Sequence, residues 1–218
     1  MRLTIINGSP RGEASNTGAL FSHFIRGFEE TSGNRAEVLY VIKNLKTLNV
    51  LVDAFRTAEA VLLGFPLYVD TMPGSVKMFL EALEPLAGRD NNPPMGFLIQ
   101  NGFPETYHNR FAARYMEKFA KRMGCRCFGS ILKGGCEGLS IQPAFLTEKY
   151  FTYLYEIGKA FGERGVLDET LLEKLARPEH LTSENIAQVV PFVNKALWDS
   201  QLEANGALEK NFDRPYQP

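Results

Sequence analysis

The chain carries no excess of either charge: its net charge is −1, so nothing marks nucleic acid or an anionic membrane as a partner. No apolar run approaches the roughly 18 residues that a membrane helix requires. The N-terminus enters a strand directly, without the layout of a signal peptide. Three cysteines are few and odd in number, which argues against a disulfide framework and makes the cytoplasm the expected compartment. Histidines number only three, His23, His108 and His180, and they form no metal constellation. The Gly-x-Ser-x-Gly elbow of an α/β-hydrolase is missing, and so are the P-loop and the Gly-x-Gly-x-x-Gly dinucleotide fingerprint. A hydrophobic content of 44% in 218 residues excludes disorder and suffices for one domain with a large core.

What is present begins at the N-terminus. The apolar strand Leu3–Asn7 runs into Gly8-Ser9-Pro10-Arg11 and then Ser15-Asn16-Thr17, and an amphipathic helix follows with Leu20, Phe21, Phe24, Ile25 and Phe28 on one stripe. A helix N-terminus exposes unpaired N–H groups and about half a positive charge, so it attracts an anion. Ser9, Ser15 and Thr17 add hydroxyls, Asn16 an amide and Arg11 a permanent charge, a set suited to a terminal phosphate monoester. Taken alone, the loop also fits an ordinary strand-to-helix turn capped by Ser and Thr.

Further strands are expected at 36–41, 60–65, 95–100 and 127–132. Helices are expected at 17–30, 45–57, 74–86, 109–123, 145–163, 168–176 and 183–202, followed by an irregular tail, 205–218. The strands lack polar alternation and alternate with helices, which predicts an α/β fold: a doubly wound, five-stranded parallel sheet with helices on both faces. Such folds bind ligands at the carboxyl ends of their strands. The loops expected to meet there are 8–17, Pro66–Pro73 and Asn101–Thr106. The expected organisation is a ligand-binding domain over 1–165, with a helical extension and tail, 166–218, packed on it.

Three motifs carry a family resemblance. Gly8-Ser9-Pro10-Arg11 with Ser15-Asn16-Thr17 resembles the phosphate loop of the NAD(P)H-dependent FMN reductases, a flavodoxin-like family. Pro66-Leu67-Tyr68-Val69-Asp70-Thr71-Met72-Pro73-Gly74 resembles that family's isoalloxazine loop, and Asn101-Gly102-Phe103-Pro104-Glu105 its second flavin-contacting loop. The likeness covers roughly residues 1 to 135. It implies an FMN-binding domain and NADPH or NADH as co-substrate. Hydride would pass from nicotinamide to FMN N5, and then to a small acceptor such as a quinone, an azo or nitro compound, or a flavin.

Physical properties of the loops agree with that implication. Leu67, Tyr68 and Met72 offer wall for a flat ring, and the backbone from Leu67 to Asp70 offers N–H groups for its N5 edge. Gly102 permits close backbone approach where N–H groups meet the N1/O2 edge. Each loop also has a plainer reading: Tyr68 and Met72 as core, Asn101-Gly102 as a turn. The cofactor-binding candidates are therefore Ser9, Arg11, Ser15, Asn16, Thr17, Pro66, Leu67, Tyr68, Val69, Asp70, Asn101, Gly102 and Phe103. No protein nucleophile is needed, so Asp70 and Glu105 receive no catalytic role.

Relatives within the family are commonly dimers or tetramers, so the resemblance implies a homodimer or homotetramer, with helix 74–86 and the C-terminal helices as the candidate interface. Other readings of the fold are a flavodoxin-type electron carrier, disfavoured by the small net charge, and a non-catalytic regulatory protein. Cys125-x-Cys127 is placed on a strand, where successive side chains face opposite ways, and with Cys136 it does not complete a metal set. Cys136, in a Gly-rich loop, is the thiol expected nearest a ligand. His108 is expected at the surface, at a helix start. The aromatic segment Phe212-Asp213-Arg214-Pro215-Tyr216 is a candidate to fold over the site or a partner, or to be a loose end.

Overall fold

In the computed structural model, five parallel strands form one sheet in the order β2-β1-β3-β4-β5. The structure describes residues 1–139, 142, 144–214 and 216, leaving out the side chains of Leu146 and Leu197. Pro215 of the aromatic segment, and Gln217 and Pro218 of the tail, lie outside the described residues.

The strands are β1 (Arg2–Asn7), β2 (Arg35–Tyr40), β3 (Ala60–Pro66), β4 (Met95–Gln100) and β5 (Cys127–Lys133). β3 and β4 are buried along their whole length, which is why they read as nearly unbroken apolar runs. Around the sheet lie α1 (Asn16–Phe28), α2 (Leu48–Thr57), α3 (Gly74–Ala82), α4 (Asn109–Met123), α5 (Ala144–Arg164) and α6 (Glu169–Leu175). One apolar cluster joins the sheet to α2, α3 and α4 through Leu51, Phe55, Val76, Phe79 and Met116. A second joins the other face to α1, α5 and α6 through Phe24, Phe28, Leu154, Phe161 and Leu175. The doubly wound sheet is thus as expected from the strand pattern.

Glycine sets how closely α1 and α5 approach. A Cβ on Gly158 of α5 would stand 2.0 Å from the Phe24 carbonyl oxygen of α1, so only a residue without one lets the two backbones meet. The same constraint operates at Gly8, where a Cβ would fall 2.3 Å from Val76 Cγ2. That close approach seats the first loop against the start of α3.

Some boundaries differ from the sequence expectation. The helix expected from Leu45 begins at Leu48, because Ile42–Asn44 forms a separate 3-10 turn. The helix expected to reach Leu86 ends at Ala82, and Glu84–Leu86 is a 3-10 turn. Pro85 is the cause: it has no N–H to donate, and its ring crowds the carbonyl four residues back. Cys125 precedes β5 rather than standing on it, and Cys125 and Cys127, two positions apart, pack into the same cluster. All three thiols are free.

The chain divides into compact units at Met1–Glu179 and His180–Pro218, so residues 166–179 belong with the sheet. In the second unit, the single helix expected over 183–202 is interrupted. α7 (Ser183–Val193) passes into a π-helical turn over Asn194–Asp199, and α8 (Ser200–Ala204) follows. Pro191 inside α7 removes one helical hydrogen bond, and the wider turn comes directly after it. Thr182 caps α7 by accepting from the Asn185 N–H at 3.2 Å. Leu208–Lys210, within the tail expected to be irregular, forms a 3-10 turn. Among the described residues no helix is long and apolar enough to cross a membrane.

Candidate functional site

A cleft of about 400 Å³, open to solvent, lies at the carboxyl edge of the sheet. It is lined by Ser9, Arg11 and Asn16 from the first loop, by Pro66, Leu67 and Tyr68 after β3, and by Asn101 and Gly102 after β4. The three loops therefore converge on one space. Parallel strands ending together at one edge of a doubly wound sheet bring them there.

Within the first loop the polar groups divide into ligand-facing and structural sets. Ser15 Oγ caps α1 by accepting from the Gly18 N–H at 3.0 Å, donates to the Gly12 carbonyl at 2.6 Å and accepts from Asn7 Nδ2 at 3.2 Å. It is buried and fully engaged, so its place is beneath the loop. The Ser9 N–H is held by Asn7 Oδ1 at 2.9 Å, which sets the loop's first bend. Asn16 Nδ2 donates to the Cys136 carbonyl, tying the start of α1 to the loop after β5. Thr17 is buried, with its hydroxyl oxygen 3.4 Å from Gln100 Nε2. Ser9 Oγ meets only the Arg11 N–H, at 3.4 Å, and the exposed Arg11 guanidinium has no ion pair among the described residues. In the first turn of α1 the Ser15 oxygens take the N–H groups of Gly18 and Ala19, leaving those of Asn16 and Thr17. The anion-binding capacity thus concentrates in Ser9, Arg11 and the first helical amides.

Past Leu67 the second loop is a tight hairpin. Tyr68 and Thr71 exchange backbone hydrogen bonds at 2.8 and 3.3 Å across it. Its tip residues Val69 and Asp70 both have positive φ, 51° and 61°. A β-branched side chain in the left-handed region is strained by about 1–2 kcal/mol. Such strain, held by the surrounding structure, is typical of ligand-contacting turns. The Leu67 N–H donates to the Gln100 carbonyl and the Tyr68 N–H to the Thr71 carbonyl, both at 2.8 Å. Of the four N–H groups expected to face a ring edge, these two are therefore occupied, and Val69 and Asp70 retain theirs. Met72 packs in the core and forms no part of the wall.

In the third loop the Asn101 side chain is structural. Its Nδ2 donates to the Phe103 and Glu105 carbonyls at 3.1 and 3.2 Å, and its Oδ1 accepts from Asn109 Nδ2 at 2.8 Å. Gly102 remains exposed at the cleft. Phe103 is 69% exposed, with its ring centroid 5.3 Å from that of His108, and lies outside the cleft lining. His108 itself ends a 3-10 turn just before α4 and is half-buried, with Nε2 3.7 Å from Glu105. Cys136 is fully buried, and burial pushes its thiol up to about 12. Its carbonyl rather than its sulfur serves the site.

Two lining residues, Gln100 and Glu137, were not anticipated. Gln100 has a signal in the sequence: it is the one polar residue ending the apolar strand Met95–Ile99. Glu137 has none, since the loop after β5 resembles no flavin contact. A Cβ on Gly102 would meet Glu137 Oε2 at 3.0 Å, so the glycine makes room for this carboxylate.

A family model described as flavodoxin-like fold matches residues 1–83. The fold is flavodoxin-like. No curated protein sequence matches the chain. Among solved structures, an FMN-dependent NADH-azoreductase from Bacillus anthracis, in complex with FMN, is 12% identical with a TM-score of 0.59, covering 74% of this chain and all of its own. An NAD(P)H:quinone oxidoreductase from Methanothermobacter marburgensis is 14% identical with a TM-score of 0.61, covering 74% of this chain and 96% of its own. RosB, solved with 8-demethyl-8-formylriboflavin-5'-phosphate, is 16% identical with a TM-score of 0.58, covering 88% of this chain and 86% of its own. At these identities the likeness is one of fold.

Proposed function

We propose that this flavodoxin-like chain is an FMN-dependent NAD(P)H oxidoreductase acting on a small acceptor such as a quinone, an azo or nitro compound, or a flavin. The observation that carries the reading is the convergence in one cleft of an anion-binding helix start, with Ser9 and an unpaired Arg11, and the loops after β3 and β4. The solved structures of this fold include proteins named for FMN, NADH or NAD(P)H, and for azo compounds or quinones, which supports the same choice.

The donor set fits FMN. Arg11 offsets the charge of its phosphate, while Ser9 and the first amides of α1 donate to it. Pro66, Leu67 and Tyr68 would give the ring wall, and Gly102 would admit it close to backbone. When bound, FMN supplies the chemistry, accepting hydride from a nicotinamide and passing it to the acceptor. The protein binds, orients and polarises. Among the described residues the N–H groups of Val69, Asp70 and Gly102 have no backbone partner, and they would be fixed dipoles for charge on the ring that need no reorganisation. The cleft's openness lets nicotinamide and acceptor use one space in turn, which gives ping-pong kinetics.

An absorption spectrum after adding FMN and desalting tests this reading. Retained bands near about 370 and 450 nm, typical of oxidised flavin, with bleaching by NADH or NADPH and steady turnover with a quinone, are the expected result. A protein that retains no FMN overturns it. One that binds FMN but is not reduced by either nicotinamide is an electron carrier instead.

A further inference from the structure

A second cleft, of about 560 Å³ counted to open solvent, is lined by residues of β5, α5 and the end of α6. Lys133, the last residue of β5, is only 6% exposed. Its ammonium donates to the Gly134 carbonyl and lies 4.8 Å from the centroid of the Tyr150 ring. An ammonium has three donors, and burying it without a counter-charge is costly. Burial accordingly holds Lys133 below the ordinary lysine range.

Three more cations line the same space: Lys149 from α5, Lys174 from the last turn of α6, and Arg177 just beyond it. Among the described residues no carboxylate lines the cleft and none of the four cations forms an ion pair. Elsewhere the same fold pairs its cations readily, as in Lys43–Glu13, Arg110–Glu179, Lys159–Glu30 and Arg164–Asp168. The negative end of α6 accounts for Lys174, but not for Lys133 or Lys149. Like charges gathered in a concave site focus a positive potential and raise the local concentration of anions.

The rest of the wall is flat or apolar. Tyr150, Tyr153 and the buried Leu175 line it, and the space exceeds what a bare phosphate fills. We propose that this cleft binds a small phosphorylated organic molecule, its phosphate on Lys133, Lys149, Lys174 and Arg177 and its flat or apolar body against Tyr150 and Tyr153. The proposal stands apart from the reading of the first cleft, since it uses none of the same residues.

Calorimetric titration of the full chain with phenyl phosphate and, separately, with inorganic phosphate tests it. Phenyl phosphate is expected to bind more tightly than phosphate, with an affinity that falls as KCl rises. Lys149→Ala and Arg177→Ala are exposed changes that leave the fold intact, and each should weaken binding about tenfold, the scale of one charge-assisted hydrogen bond. Arg11→Ala, in the other cleft, should leave it unchanged. Binding weaker than about 10 mM overturns the proposal. Binding lost in Arg11→Ala but kept in Lys149→Ala and Arg177→Ala also overturns it, by placing the ligand in the first loop. Equal affinity for the two probes removes the organic body and with it the proposed class of ligand.

Discussion

Ser15 and Arg11 lie four residues apart in one loop, and the structure assigns them opposite duties. Replacing Ser15 with Ala removes the cap of α1, worth about 0.5–2 kcal/mol. It also strips the buried Asn7 Nδ2 and the Gly12 carbonyl of their partner. An unsatisfied buried polar group costs about 1–3 kcal/mol, so the cap and the two stripped groups together come to roughly 2.5–8 kcal/mol. At about 2–4 °C per kcal/mol for a chain of this size, Tm should fall by roughly 5–30 °C. Arg11 is exposed and among the described residues its guanidinium forms no ion pair, so Arg11→Ala should change stability by less than about 0.5 kcal/mol. It should nevertheless weaken FMN about 10- to 100-fold, through loss of a charge-assisted bond to the phosphate. Urea unfolding without added flavin, alongside fluorimetric FMN titration, separates the two effects. If Ser15→Ala is as stable as the parent and loses FMN as Arg11→Ala does, the division of labour drawn here is wrong.

Other consequences follow from the same geometry. Val69 is 97% exposed at φ 51°, so Val69→Asn relieves strain without losing burial and should raise Tm by about 2–4 °C; a fall would show that the turn is not left-handed in solution. Burial pushes Cys136 up to about 12 and Cys125 to about 11, so at pH 8 roughly one in ten thousand and one in a thousand would be thiolate. Alkylation mapped by mass spectrometry should leave both intact in the time that labels them fully in urea; rapid native labelling of Cys136 refutes its burial. His23 stacks on Phe151 at 3.9 Å, and burial, with Arg26 beside it, lowers its pKa. The unfolded state therefore takes up the proton first, and stability should decline as pH falls below about 6.5. His23→Gln should flatten that decline in denaturant midpoints taken from pH 7.5 to 5; an unchanged slope would assign it to other groups.

Much of the fold was legible because its signals are local. β3 and β4 announce themselves as apolar runs because both faces of a central parallel strand are covered. Helix α4 was legible at both ends from its apolar period, and the structure closes it on Gly124 in the left-handed conformation. Local reading failed where two signals compete within a few residues. Pro85 and Pro191 overrode helical periodicity, through a missing donor that an apolar count does not register.

The sequence by itself determined the layers, the parallel sheet and which three loops meet, because hydrophobic period, chain direction and turn chemistry act over short stretches of chain. Only the tertiary structure decided what each polar group does once it is there. Ser9 and Ser15 have the same hydroxyl, yet one faces the cleft and the other is consumed by Asn7, Gly12 and Gly18. Glu137 joins the site from the loop after β5, which carries no motif, and Lys133, Lys149, Lys174 and Arg177 share one cleft although β5, α5, α6 and the segment just beyond α6 supply them. A hydrogen bond or an ion pair depends on distances of a few ångströms between groups far apart in the chain, and packing alone sets those distances.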